Sequence, residues 1–320
     1  MPRRAHPPSA ASTLARPGAD GPRRAPRAQA ANAAVPSEPA LLWGLLGDLL
    51  RLPLWLLWLL LGRATLRDGL RPLARLAGFA TAARMTATLI VLNLGVFTAE
   101  VLARAHGLSD AEILRRFALH PHDLSQGNWL PLLLHVFAHG SAAHLLGNML
   151  ALFVFGRVVE RHLGPGRVLA AYALAAFVST QVSLSAQLLW PSLSGGPVPT
   201  LGASGAVAGL VALGVLLQPL SITFEALVPL PLFAVGWLAM AADVLSLWRA
   251  AAGPASRSLA HAAGHGAGID HPAHLGGYLS ACLFYFLLDR RQKARARTGL
   301  VINIVSAALA FTLWNCLLRR

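Results

Sequence analysis

Residues 130–155 read LPLLLHVFAHGSAAHLLGNMLALFVF. The stretch is long enough to cross a hydrocarbon core of ~30 Å, which takes about 20 apolar residues. Yet it holds His135, His139, His144 and Asn148. Ionisable and amide groups are expensive in lipid and point to function by default. A crossing segment must be helical, because lipid offers no partner to a free backbone N–H or C=O. Comparable apolar segments lie at 85–102, 168–190, 203–217, 224–248, 269–288 and 300–318. The sequence therefore predicts an all-α, polytopic membrane helix bundle with six core spans and a C-terminal seventh.

Composition agrees. Of 320 residues, 55% are hydrophobic and 12% charged, whereas soluble domains carry about 25% charged residues. That is too little charge to coat a soluble enzyme. The net charge is nevertheless +14, from 27 basic and 13 acidic side chains. With the start of the first span inside, the inner connections hold Arg63, Arg67, Arg71, Arg75, Arg84, Arg157, Arg161, Arg167, Arg290, Arg291, Lys293, Arg295 and Arg297. The outer connections hold Arg104, Arg115, Arg116, Arg249 and Arg257. This asymmetry sets orientation in the bilayer and needs no nucleic-acid partner. Cys282 and Cys316 have neither disulfide nor metal spacing.

Residues 1–40 are rich in Ala, Pro and Arg and are expected to be a disordered basic tail, although an organellar transit peptide shares that composition. Segment 41–84 reads as interfacial. Asp48, Arg51 and Pro53 interrupt its apolar run, and the stripe of Arg63, Arg67, Arg71 and Arg75 is broken by Pro72. The core then occupies 85–290, and 291–320 supplies a basic loop and the seventh span.

The spans at 130–155, 203–217 and 269–288 all run from outside to inside in this topology. Ser204 and His274 each lie near the outer start of their span. Gly205 and Gly209 form one small-residue ridge, and Ala273, Gly277 and Ala281 another; such ridges let helices approach closely. Ser204 precedes Gly205 and His274 follows Ala273, so ridge-to-ridge packing pairs a nucleophile with a base. His144 and Asn148, four apart, share a helix face and can donate to an oxyanion. The span at 203–217 is short, so the connection 191–201 is expected to sink below the outer surface beside a wet cavity. A serine in a span more often bonds its own preceding turn, the ridges alone mean packing, and His135 and His139 fit structural roles. The conjunction of all these groups on parallel spans favours chemistry.

These residues resemble the rhomboid family of intramembrane serine proteases. The carrying motifs are His139…His144-Leu-Leu-Gly-Asn148-Met followed by Gly156 and Glu160, then Gly202-Ala-Ser204-Gly205, then Ala273-His274-Leu-Gly276-Gly277. The resemblance covers roughly 85–290. It implies a Ser–His dyad in place of a triad: Ser204 as nucleophile, His274 as general base, and an oxyanion site from the Ser204 N–H, His144 and Asn148. His139, Gly202, Gly205, Gly209, Ala273 and Gly277 would support the site, and Asp270 would orient loops. No metal or cofactor is implied. Partners would be the bilayer and transmembrane protein substrates, cut at small residues in unstable helices.

Two departures stand out. Ala208 replaces an aromatic that commonly packs the base, and Trp129-Leu130 replaces a Trp-Arg pair. The run Asp270-His271-Pro272-Ala273-His274 and the Pro229/Pro231…Asp243 pattern are similar to the mitochondrial branch. A bacterial inner membrane is the first expectation and the mitochondrial inner membrane the second. The competing function is an inactive rhomboid-like protein that binds or escorts membrane proteins. A transporter is disfavoured because no inverted repeat is visible.

Overall fold

The computed structural model describes residues 38–120, 122–123, 126–190, 199–223, 229–251 and 269–318. The expectations for the 1–37 tail and for most of the connection 191–201 lie outside the described residues. The described chain is almost wholly helical, with a two-residue hairpin pairing β1 (Ile222–Thr223) with β2 (Leu230–Pro231).

Helix α1 (Glu38–Leu60) runs unbroken through Pro53. After α2 (Leu66–Gly69), helix α3 (Arg71–Ala82) begins with Pro72 in its first turn. A proline there costs no hydrogen bond, because that N–H has no intrahelical partner anyway. Pro72 thus starts a helix and does not break one. The arginine stripe is partly paired: Arg71 meets Asp68 at 2.6 Å, and Arg75 reaches back to Asp48 on α1 at 2.6 Å.

Helix α4 (Arg84–Ala105) starts on a cap supplied from a distant part of the chain. The Glu160 carboxylate accepts Met85 N–H at 2.9 Å, Thr86 N–H at 2.8 Å and the Thr86 hydroxyl at 2.7 Å. Those N–H groups would otherwise be orphaned at the helix N-terminus. Gly156 makes the approach possible, since a Cβ there would lie 2.9 Å from Thr86 Cγ2.

Amphipathic α5 (Asp110–Phe117) is closed by a capping box between Ser109 and Glu112. The expected second span then divides. Helix α6 (Leu130–Leu134) stops at His135. The membrane-length rod is Ala142–Leu163, made of α7 (Ala142–Ala151), a π-helical turn (Leu152–Gly156) and α8 (Arg157–Leu163). Ser141 starts α7 by accepting His144 N–H at 3.2 Å.

Helices α9 (Pro165–Leu189), α10 (Ser204–Leu217) and α12 (His271–Tyr285) form the packed centre. Helix α11 (Leu232–Ala251) starts eight residues later than expected, after the β2 strand that contains Pro231. Helix α13 (Arg290–Leu318) is held to the core by Asn303, which donates to Val215 O at 3.2 Å and accepts from Trp237 Nε1 at 3.0 Å.

Among the described residues, five helices are long and apolar enough to cross a membrane. Helices α10 and α12 have 14 and 15 residues, or about 21 and 22 Å at 1.5 Å per residue. They fall short of the ~30 Å core; α10 is enclosed by its neighbours, whereas α12 leaves Leu279 and Leu283 exposed on its outer face. Gly205, Ala206, Val207, Ala208, Gly209 and Leu210 are all buried in succession on α10.

Register follows from the glycines. Gly205 and Gly209 on α10 face Ser179 and Ala175 on α9, so those helices run antiparallel. Gly205 meets Ala273, and Gly209 meets Gly277 and Ser280 on α12, so α10 and α12 run parallel. Gly202 lies against His144, and Gly214 against Phe155, so α7 is parallel to both. The starts of α7, α10 and α12 therefore meet at one end of the bundle, as the topology read from charge requires.

Candidate active site

The site assembles where those three helix starts converge. Gly202 has φ +111°, a conformation that glycine adopts without strain. A Cβ there would lie 2.7 Å from His144 Cε1 and 3.9 Å from Asn148 Nδ2. The strand of chain entering α10 thus runs directly over the two candidate oxyanion donors. Its N–H is tied down by His135 O at 2.8 Å. His135 is itself fixed, with Nδ1 on Pro131 O at 2.9 Å and Nε2 on Thr180 Oγ1 at 2.9 Å.

His139 lies in the loop before α7, not within a span, and is 1% exposed. Its Nε2 is 3.1 Å from Asn148 Nδ2, an amide nitrogen that can only donate. His139 Nε2 must then accept, so its proton sits on Nδ1, which donates to Phe137 O at 3.0 Å. This arrangement holds one amide hydrogen of Asn148 and leaves the other for a ligand. The loop is anchored by His139 N–H on the Glu100 carboxylate at 3.3 Å. The His139 and His144 rings meet edge to face at 5.1 Å.

Ser204 is the first residue of α10, where backbone N–H groups lack intrahelical acceptors. Its neighbour Gly205 packs against Ala273 O, with a virtual Cβ 3.4 Å away. Gly277 has no room for a side chain: a Cβ would clash with Gly205 O and lie 2.9 Å from Ala208 Cβ. Ser204 and His274 flank this seam. Among the described residues no hydrogen bond joins them, and His274 Nε2 is buried without a partner. Such bonds are often long before substrate binds.

The other imidazole nitrogen of His274 is engaged. Asp243, on α11, accepts from His274 Nδ1 at 2.9 Å, and the same oxygen accepts from His271 Nδ1 at 2.7 Å. Its second oxygen accepts the Tyr278 hydroxyl at 2.8 Å. Asp243 lies late in the fifth apolar segment, and a carboxylate inside a span is the signal in the sequence that marks it. Asp243 thus fixes the His274 ring through its Nδ1 side. Asp270 takes a separate part. It caps α12 by accepting Ala273 N–H at 2.9 Å, and its other oxygen accepts from Ser183 and from Thr200 at 3.3 Å. These bonds link the start of α12 to α9 and to the segment before α10.

Fold and site together define a multi-pass helical membrane protein with a serine, a carboxylate-held histidine and a histidine–asparagine pair gathered at one end of its bundle. Residues 126–291, just over half the chain, match the Rhomboid domain. The chain belongs to the rhomboid family. It is 26% identical over 236 residues to the rhomboid protease AarA of Providencia stuartii, covering 70% of this chain and 79% of that one. It is 25% identical over 219 residues to the mitochondrial RHOMBOID-like protein 12 of Arabidopsis thaliana (65% and 60%). To the rhomboid protease GluP of Bacillus subtilis it is 35% identical over 125 residues (39% and 23%). The matches thus span well under the full length of two of these three relatives.

Proposed function

We propose that this chain is an intramembrane serine endopeptidase that cuts transmembrane segments of other proteins. The observation that supports this reading is the α10–α12 seam, where Gly205, the neighbour of Ser204, packs on Ala273, the neighbour of His274, while His274 is held by Asp243 at Nδ1 and unpartnered at Nε2. Nδ1 donates to the carboxylate, so Nε2 carries the lone pair and can take the Ser204 hydroxyl proton as Oγ attacks the scissile carbonyl. The tetrahedral oxyanion is met by the Ser204 N–H at the positive end of α10 and by His144 and Asn148. As the intermediate collapses, His274 returns the proton to the leaving amine. Water then attacks the acyl-enzyme, with His274 again as base, and releases Ser204.

A transmembrane helix must unwind before its carbonyl reaches Ser204, so small residues and weak helices are the favoured substrates. We place the protein in a bacterial inner membrane, with the mitochondrial inner membrane second; the relatives include proteins of both origins. A fluorophosphonate probe is expected to label the wild type and not Ser204→Ala. Equal labelling of both would refute the assignment, and no labelling of either would favour an inactive binding or escort protein.

A further inference from the structure

We propose that Asp243, His271 and His274 form a binding site for a divalent transition-metal ion, zinc above all, and that occupancy switches the serine–histidine pair off. The binding stands alone; the inhibition rests on the protease reading above. Asp243 Oδ1, His271 Nδ1 and His274 Nδ1 all lie within 4.8 Å of one another. His271 and His274 are three apart, on one face of α12, and Asp243 reaches them from α11. Two imidazoles and a carboxylate suit zinc, with a water in the fourth position.

Zinc binding asks the oxygen to move outward from both nitrogens and the nitrogens to close to ligand spacing from within 4.8 Å of each other. Zinc bonds of about 2.0–2.2 Å put neighbouring tetrahedral ligand atoms ~3.3 Å apart. The carboxylate oxygen now lies 2.7 and 2.9 Å from the two nitrogens. The Tyr278 hydroxyl already orients the carboxylate through its other oxygen, the outer support that ligating carboxylates ordinarily have. Charge favours a cation. The Asp243 side chain is 7% exposed, and among the described residues no Lys or Arg nitrogen pairs with it. The imidazoles are 17% and 18% exposed, which gives an ion a way in.

Inactivation follows from the tautomer. A neutral imidazole ligated through Nδ1 keeps its single proton on Nε2. His274 Nε2, the atom that must accept the serine proton, would then be a donor. No net proton is gained or lost; each imidazole proton moves from Nδ1 to Nε2 through solvent, and His274 ceases to be a base.

The test uses full-length protein in liposomes with chelator-buffered Zn²⁺. Cleavage of a single-span reporter is expected to fall with Zn²⁺ and return on adding EDTA. His271→Gln keeps a hydrogen-bond donor for Asp243 but offers no imidazole; measured against its own zinc-free rate, it should need at least the ~10–100-fold more Zn²⁺ for half-inhibition that loss of even an outer partner costs. Co²⁺ provides a readout independent of activity: tetrahedral visible absorption in the wild type, lost in His271→Gln. Wild type insensitive to Zn²⁺, or equal inhibition of His271→Gln, would overturn the switch, and absence of the Co²⁺ bands would overturn the site. If Co²⁺ binds but the protein never cleaves, the site stands and the protease reading fails.

Discussion

Replacing Gly277 with alanine probes the seam on which the site depends. The added methyl would lie 2.9 Å from Ala208 Cβ and collide with Gly205 O, a backbone atom that cannot rotate away. Carbon–carbon contacts settle near 3.5–4.0 Å, so the Ala208 contact alone parts α10 and α12 by roughly 0.6–1.1 Å, and the closer Gly205 O demands at least as much. Overpacking of this kind costs about 1–3 kcal/mol of stability, which leaves a folded protein. Its effect on chemistry is larger, because Ser204 and His274 ride on opposite sides of the widened seam. A misplacement of about 1 Å can cost on the order of 10²-fold in rate. The assay is initial cleavage of a single-span reporter in liposomes, normalised to folded protein. Gly95→Ala in α4 is the control, since a Cβ there meets nothing within 4 Å. Gly277→Ala should lose ~10²-fold and the control almost nothing. Gly277→Ala cleaving within about twofold of wild type, far short of that loss, would refute the seam as the device that aligns the pair.

Asp243→Asn should lower kcat about 10- to 150-fold with KM nearly unchanged, the worth of one hydrogen bond to a charged group at about 1.5–3 kcal/mol. A change confined to KM would mean that Asp243 serves binding and not the base. Asn148→Ala should lose about 10²–10³-fold in kcat, as for other oxyanion donors, yet still react with a fluorophosphonate. Wild-type turnover by this variant would remove Asn148 from the oxyanion site.

Much of this architecture is legible in the sequence because membranes constrain it so tightly. Long apolar runs must be helices, and the unequal distribution of arginines gives directions that the Gly205–Ala273 and Gly202–His144 contacts reproduce. The small-residue ridges identified their own partners. Hydropathy fails where apolar residues leave the helix. Residues 130–134 and 142–163 are separated by a loop in which His135 and His139 satisfy backbone carbonyls. The apolar pattern continues across it, so the break is invisible. The π-turn at Leu152–Gly156 is equally silent.

The start of α11 at Leu232 was readable in hindsight, since Pro229 and Pro231 disfavour a helix across them. Asp243 is a different case. Its type and depth signalled function, but its partners His271, His274 and Tyr278 lie 28 to 35 residues away. Only packing of α11 on α12 reveals them, and with them a carboxylate on the His274 imidazole where the resemblance implied a serine and a histidine alone.

The central claim is that Ser204 and His274 together break peptide bonds in the membrane. Purified wild type, Ser204→Ala and His274→Ala, each reconstituted with a single-span reporter, test it most directly. Cleavage by the wild type, and none above background by either variant, is the expected result. Undiminished cleavage by either variant would contradict it.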